Sequence, residues 1–160
     1  MEIRPAEEAD RDAIWAFLKP VILAGEVFAL PTGMDREAAL QYWFTAGNWV
    51  HVVLVDGQML GSYYLRANQQ GGGSHVANCG YLTAISARGR GIAAAMCAHS
   101  LELGKSLGFR AMQFNFVVSS NTSAVHVWEK CGFKTLARLP DAFLHPSLGY
   151  VDALVMWREL

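Results

Sequence analysis

The sequence predicts an α/β fold: one mixed, mostly antiparallel sheet with a central parallel β-α-β crossover and helices on both faces. Three observations carry that expectation. Residues 49–67, WVHVVLVDGQMLGSYYLRA, are two β-rich runs joined at Asp56-Gly57, a hairpin signature that demands an antiparallel pair. Residues 76–119 run strand, glycine turn, helix, strand, the order of a parallel crossover. The whole chain follows the order β-α-α-β-β-β-α-β-α-β-β without a repeat or a linker, so residues 1–160 read as one domain.

Each element has a local reason. Met1–Arg4 can form a short strand that Pro5 ends, and AEEADRDAIWAFLKP follows with acids in its first turn and Ile14, Phe17 and Leu18 at helical spacing. Pro20 is expected to limit that helix, leaving residues 21–34 irregular. Asp35 caps a second helix, REAALQYWF. After the hairpin, residues 69–75 are a loop and VANCGYLTA is a strand. A helix is expected from about Gly91 to Leu107, a strand over 111–119, and a helix from Asn121 through Glu129. FKTLARL and YVDALVMW read as two last strands separated by the loop PDAFLHPSLG.

Composition narrows the function classes. With 160 residues, 52% of them hydrophobic, the chain can bury a real core. A net charge of −1 supplies no field to recruit nucleic acid or an anionic membrane. The most apolar region, Ala38–Val55, is broken by Gln41, Asn48 and His51 and reads as helix plus strand, not as a membrane span. The polar, acidic start MEIRPAEEADRD resembles neither a signal peptide nor a transit peptide. Cys79, Cys97 and Cys131 are odd in number and lack C-x-x-C spacing, which points to reduced thiols in a cytoplasm. The five histidines lack metal-ligand spacing, so no metal is expected.

The informative stretch is Arg88-Gly89-Arg90-Gly91, where a strand meets an alanine-rich helix. Glycines at a helix mouth let backbone N–H groups close around an oxyanion, although the same four residues fit a flexible loop with solvated arginines. Gly89-x-Gly91-x-x-Ala94 imitates a dinucleotide fingerprint, but it lies mid-chain and the next strand ends without the acid that would hold a ribose. Leu103-Gly104-Lys105-Ser106 imitates the tail of a phosphate-binding loop, yet it falls late in a helix and lacks the upstream glycine.

Arg88-x-x-Gly91-x-Ala93 at a strand-to-helix turn resembles the pyrophosphate loop of the GNAT superfamily of acetyl-CoA-dependent N-acetyltransferases. NTSAVHVWEKCGF, Asn121–Phe133, resembles the superfamily's N-x-x-A-x-x-x-Y-x-x-x-G-F helix, one helix and one strand further on. The resemblance implies the GNAT fold and an acetyl-CoA co-substrate. It places pyrophosphate on Arg88, Gly89, Arg90, Gly91, Ile92 and Ala93, and the pantetheine arm along the backbone of Leu82, Thr83 and Ala84. A backbone N–H, of Leu82 or Thr83, would face the thioester carbonyl as an oxyanion donor. Asn121, Ala124 and Trp128 would complete the CoA contacts, with Asn121 equally suited to a simple helix cap.

Asn78, Phe114-Asn115 and Trp128 resemble one branch in particular, the fungal enzymes that N-acetylate azetidine-2-carboxylate and related proline analogues. This likeness makes Leu82, Trp128 and Asn78 the expected catalytic set and Asn78, Asn115, Glu26 and Phe28 the expected substrate contacts. Phe143, His145 and Tyr150 are further groups available to a pocket. Two departures stand out. Trp128 replaces the tyrosine that often protonates the leaving thiolate, and an indole can donate a hydrogen bond but no proton. Between Asp56 and Glu102 there is no acid, so the base is left open among a water chain, His75, His126 and Glu26. The expected activity is acetyl transfer to the amine of a small molecule, such as an amino acid or proline analogue. The alternatives are a non-catalytic acyl-CoA-binding module, a Cys79 nucleophile and a nicotinamide oxidoreductase. Homodimers through the C-terminal strands are common in the superfamily.

Overall fold

The computed structural model describes residues 1–160. Its seven strands are β1 (Glu2–Pro5), β2 (Trp49–Val55), β3 (Gln58–Ala67), β4 (Val76–Thr83), β5 (Ala111–Val118), β6 (Lys134–His145) and β7 (Gly149–Glu159). They form one sheet in the order β1-β2-β3-β4-β5-β7-β6. Only the β4–β5 pair is parallel, and it brackets the crossover that the sequence predicts. Helices α1 (Arg11–Ala24) and α2 (Arg36–Trp43) cover one face, and α3 (Ile92–Ser106) and α4 (Thr122–Lys130) cover the other.

Two cores follow from strand alternation. Ile14, Leu18 and Ile22 of α1 and Leu40 and Trp43 of α2 bury against Val52, Tyr64 and Leu82. On the opposite face Ile92, Met96 and Leu101 of α3 and Trp128 of α4 bury against Leu60, Met112 and Phe114. The β2–β3 hairpin turns where expected, with Asp56 (φ 52°) and Gly57 (φ 76°) both left-handed.

Two expectations fail, each for a physical reason. Pro20 does not end α1, which runs on to Ala24 and stops at Gly25 (φ 62°). A proline inside a helix costs about 3 kcal/mol, but Ile14, Leu18 and Ile22 flank it and are almost fully buried. Each such side chain contributes roughly 1.5–3 kcal/mol, so burial wins. The loop expected at 140–149 is mostly strand. β6 crosses Pro140 and Asp141 by a bulge between Leu139 and Phe143, with Asp141 at φ 51° and its N–H donated to Asp152 Oδ1 at 3.1 Å. Proline is tolerated there because β6 is an edge strand. Phe143 and His145 therefore sit on a strand, and the hairpin connection shrinks to residues 146–148.

Candidate active site

The site begins where the two parallel strands part. β4 and β5 pair only at Val76–Ala111 and Ala77–Met112. At the fork Asn78 Nδ2 donates to the Gln113 carbonyl at 3.0 Å, a side chain taking over where the backbone ladder stops. Beyond it, alternation decides which groups face the gap. Ala84 N–H donates to Leu60 O (2.9 Å) and Asn68 N–H to Val76 O (2.8 Å), which fixes the phase of the β3–β4 ladder. Leu82 then spends its backbone groups on Ser62, while those of Cys79, Tyr81 and Thr83 point into the gap. The expectation for Leu82 and Ala84 is corrected accordingly. Both are tied to β3, and Thr83 is the one member of that trio whose backbone groups face the opening.

At the wide end the chain makes a turn at residues 85–87 and passes Gly89 (φ 75°) and Gly91 (φ 76°) before entering α3. A β-carbon on either glycine would meet no atom within 4 Å, so it is the left-handed backbone that requires glycine. The N–H groups of Gly89, Gly91, Ile92, Ala93 and Ala94 have no acceptor in the chain. Five unclaimed donors at the positive end of a fifteen-residue helix form an anion cradle. Arg88 lines it, whereas Arg90 is exposed and lies outside the lining. Across the gap, Asn121 caps α4, its Oδ1 accepting from Ala124 N–H at 3.4 Å and Ser123 Oγ–H at 3.2 Å.

Cradle and fork belong to one cleft of about 960 Å³. One wall is aromatic: Trp128 lies 4.6 Å from Tyr81 and 5.2 Å from Phe114, between ring centroids. Trp128 is buried and lines the cleft, and its indole N–H makes no bond in the chain and is not fully enclosed. The other wall is built from Tyr42, Tyr64, Arg66 and the segment after α1 that carries Glu26 and Phe28. Tyr42 and Tyr64 share a hydroxyl hydrogen bond at 3.0 Å. Gly80 makes room for this wall, because a β-carbon there would lie 2.6 Å from Tyr64 Cζ.

A split parallel pair leading to a glycine cradle is also where the comparisons with known proteins converge. The model of the acetyltransferase (GNAT) family matches residues 15–133. The chain belongs to the GNAT acetyltransferase family. A GCN5-related N-acetyltransferase from Kribbella flavida is 40% identical, with a TM-score of 0.95 over 99% of this chain and 97% of that one. The N-acetyltransferase aca1 of Schizosaccharomyces pombe is 33% identical over 98 residues, 61% of this chain and 47% of that protein, so this GNAT chain matches about half of its curated relative. A phosphinothricin acetyltransferase from Sinorhizobium meliloti, solved with acetyl-CoA, shares the fold at 22% identity, a TM-score of 0.86 and coverage of 99% of this chain and 88% of that one.

Within the GNAT cleft the residues singled out from sequence divide cleanly. Asn78, Leu82, Thr83, Arg88, Gly89, Gly91, Ile92, Ala93, Asn115, Asn121, Ala124, Trp128, Glu26, Phe28 and His145 line it; Ala84, Arg90, Phe143 and Tyr150 do not. Asn115 also donates to Asn68 Oδ1 (2.6 Å) and accepts from Gln113 Nε2 (2.9 Å). Of the three candidate bases only Glu26 reaches the cleft; His75 and His126 are exposed elsewhere. His145 Nδ1 accepts the N–H groups of Ser147 (3.2 Å) and Leu148 (3.3 Å), which engages that nitrogen in the β6–β7 turn. Burial pushes the Cys79 thiol up to about 12, which removes it as a nucleophile at neutral pH. No cluster of three or more His, Cys, Asp or Glu side chains is placed to hold a metal. Tyr42, Tyr64 and Arg66 carry no motif, and sequence reasoning missed them; the glycine inside strand β4, Gly80, was the available signal of a close approach.

Proposed function

We propose that this GNAT chain transfers the acetyl group of acetyl-CoA to the amine of a small molecule by direct attack on the thioester. The observation that carries the reading is the continuity of one cleft from five unclaimed N–H donors at the mouth of α3 to the gap between β4 and β5. Pyrophosphate fits the first, as an anion at a helix N-terminus, with Arg88 adding charge. An amide-bearing arm fits the second, because Cys79, Tyr81 and Thr83 offer it a vacant strand edge.

The chemistry then falls to few groups. A gap-facing N–H of Tyr81 or Thr83 donates to the thioester oxygen as negative charge develops, an interaction typically worth about 3 kcal/mol of barrier. The indole N–H of Trp128 steadies the departing thiolate without protonating it, which suffices for a leaving group of pKa about 8.5. Glu26 takes the amine's proton. Asn78, anchored through Nδ2, keeps Oδ1 free to orient that amine. Holding both reactants in one cleft supplies the rest as proximity. A small amine suits a cleft of this volume. Nothing in a net charge of −1 favours a nucleic acid partner, and no helix is long and apolar enough to cross a membrane. The edge strand β6, with Leu136 and Leu144 exposed, is the surface we assign to a homodimer, and the reduced cysteines fit a cytoplasmic location.

Thermal unfolding with saturating acetyl-CoA, against NADH as control, tests the cradle. A ligand at a hundred times its Kd adds about 2.7 kcal/mol, a shift of several degrees. Acetyl-CoA alone should give that shift, and thioester consumption with an amine panel should follow. A shift without consumption by any amine would leave only an acyl-CoA-binding module.

A further inference from the structure

The acceptor side of the cleft holds two phenols whose hydroxyls serve each other and nothing else in the chain. Tyr64 is the cross-strand partner of Gly80, and its ring leans over that residue: a β-carbon on Gly80 would lie 2.7 Å from Tyr64 Oη. The backbone groups on either side of Gly80, those of Cys79 and Tyr81, face the gap. The Tyr64 hydroxyl therefore stands over the strand edge that the thioester would follow. Its one partner is the Tyr42 hydroxyl at 3.0 Å, and Tyr42 is half-buried and lines the same cleft. Two hydroxyls carry two protons, and only one of these lies between them. The other proton and the remaining lone pairs are left to the cleft. Tyr81, the third phenol of the lining, has no such freedom. Its O–H donates to Ser100 Oγ at 2.8 Å, and Ser100 spends its own proton on the Cys97 carbonyl.

We propose that the Tyr64–Tyr42 hydroxyl pair is the path by which the acceptor nitrogen loses its proton. The inference rests on the acetyl-transfer reading above and deepens it. As the amine's lone pair closes the N–C bond to the thioester carbon, its N–H donates to Tyr64 Oη. Tyr64 passes its own proton to Tyr42 Oη, and Tyr42 passes its proton to the Glu26 carboxylate. The C–S bond breaks with its electron pair on sulfur, and CoA leaves as the thiolate. Both phenols end as they began, and Glu26 ends protonated. Burial fits Tyr64 for a relay and unfits it for a base. It pushes the phenol above its usual range, so Tyr64 gives up a proton only as it receives one. The pair is rigid, because Tyr64 packs edge-on against Trp43 at 5.0 Å and Tyr42 at 5.9 Å between ring centroids. Arg66 lies over the same platform, 5.1 Å from the Tyr64 centroid and 5.9 Å from that of Tyr42. Its charge steadies a phenol oxygen as the proton departs. Glu26 belongs to the segment that is tied beside Tyr42, since Phe28 packs edge-on against Trp43 at 6.4 Å.

The test is the single-turnover rate of acetyl transfer, measured by mixing acetyl-CoA-loaded protein with ethylamine, glycine, azetidine or azetidine-2-carboxylate. The fastest of these acceptors is then used with every variant. Tyr64→Phe keeps the ring and removes only the hydroxyl. It should slow transfer roughly a hundredfold, the low end of what positioned proton transfer contributes. Acceptor KM should stay within about threefold and acetyl-CoA Kd within about twofold, which also shows that the variant is folded. Tyr42→Phe, at a half-buried ring, should slow transfer by at least about tenfold and gives the reading if Tyr64→Phe does not fold. The double variant should be no slower than Tyr64→Phe, because both hydroxyls serve one path. In mixtures of light and heavy water the wild-type rate should fall along a curve, as several protons moving together require, and the variants should give a straight line. Tyr64→Phe or Tyr42→Phe that keeps pace with wild type, losses confined to KM, or losses that multiply in the double variant overturn the relay while transfer stands. A wild type that acetylates none of the four acceptors overturns the transfer reading and the relay with it.

Discussion

The two ends of the cleft are made of different material. At the mouth of α3 the groups are backbone: the N–H donors of Gly89, Gly91, Ile92, Ala93 and Ala94, presented by two glycines in left-handed conformations. At the fork they are side chains: Arg66, Tyr42 and Tyr64 from β3 and α2, Asn78 from β4, Glu26 from the segment after α1. The first end is contiguous in sequence and indifferent to side-chain identity except where glycine is needed. The second is gathered from four separate elements. A co-substrate common to a family can be held by backbone, whereas the partner that varies is held by side chains that can vary.

The largest expected effect comes from breaking the backbone end alone. Gly91→Val forces a β-branched residue to φ 76°, a strain of about 1–3 kcal/mol, and sets a side chain beside the donors. Acetyl-CoA affinity should fall roughly ten- to a hundredfold by calorimetry, while acceptor KM holds. Loss of both together would mean that the two ends are not separable. Breaking the side-chain end should cost less. Gly80→Ala drives a methyl into the Tyr64 ring, an overpacking of about 1–3 kcal/mol, so the melting temperature should drop by roughly 2–10 °C. Acceptor KM should rise as the platform under Arg66 shifts, and acetyl-CoA Kd should hold; unchanged acceptor kinetics would detach Tyr64 from recognition.

The smallest effect should spare both ends. His51 stacks on Tyr63 at 5.1 Å with Nδ1 unpartnered, and His99 Nδ1 meets the Tyr63 hydroxyl at 2.6 Å. Burial lowers both imidazoles below their usual 6.5. The unfolded chain therefore takes up protons that the folded one refuses, and stability should decline as pH falls through 6.5 before levelling off below the folded values. Denaturant titrations at pH 8, 7, 6 and 5 should show the decline, and His51→Phe should flatten it. Neither pH nor that variant should alter acceptor preference, because neither ring lines the cleft.

What could be read from sequence depended on how local the cause was. Asp56-Gly57 specifies its hairpin within two residues, and Gly89 and Gly91 specify the cradle within three. The direction of Leu82's backbone was not legible, because it depends on the phase of the β3–β4 ladder, set by bonds such as Ala84 to Leu60. The same non-locality hid Arg66, whose place in the cleft wall comes from stacking on two tyrosines, one of them twenty-four residues earlier. Pro20 misled because a local penalty was weighed without the burial on either side of it.

The gap between β4 and β5 also bears on the rate law expected of the proposed direct transfer. Its lining comes from both faces of the sheet, with Ile92, Ala93 and Trp128 on the α3–α4 side and Tyr42, Tyr64 and Phe28 on the α1–α2 side. Two reactants approaching such an opening from opposite sides do not compete for space, and burial disfavours the thiolate of Cys79, the one cysteine in the lining. Under the proposed direct transfer, initial-velocity lines at several fixed acceptor concentrations should intersect, as a ternary complex demands, and parallel lines would overturn it.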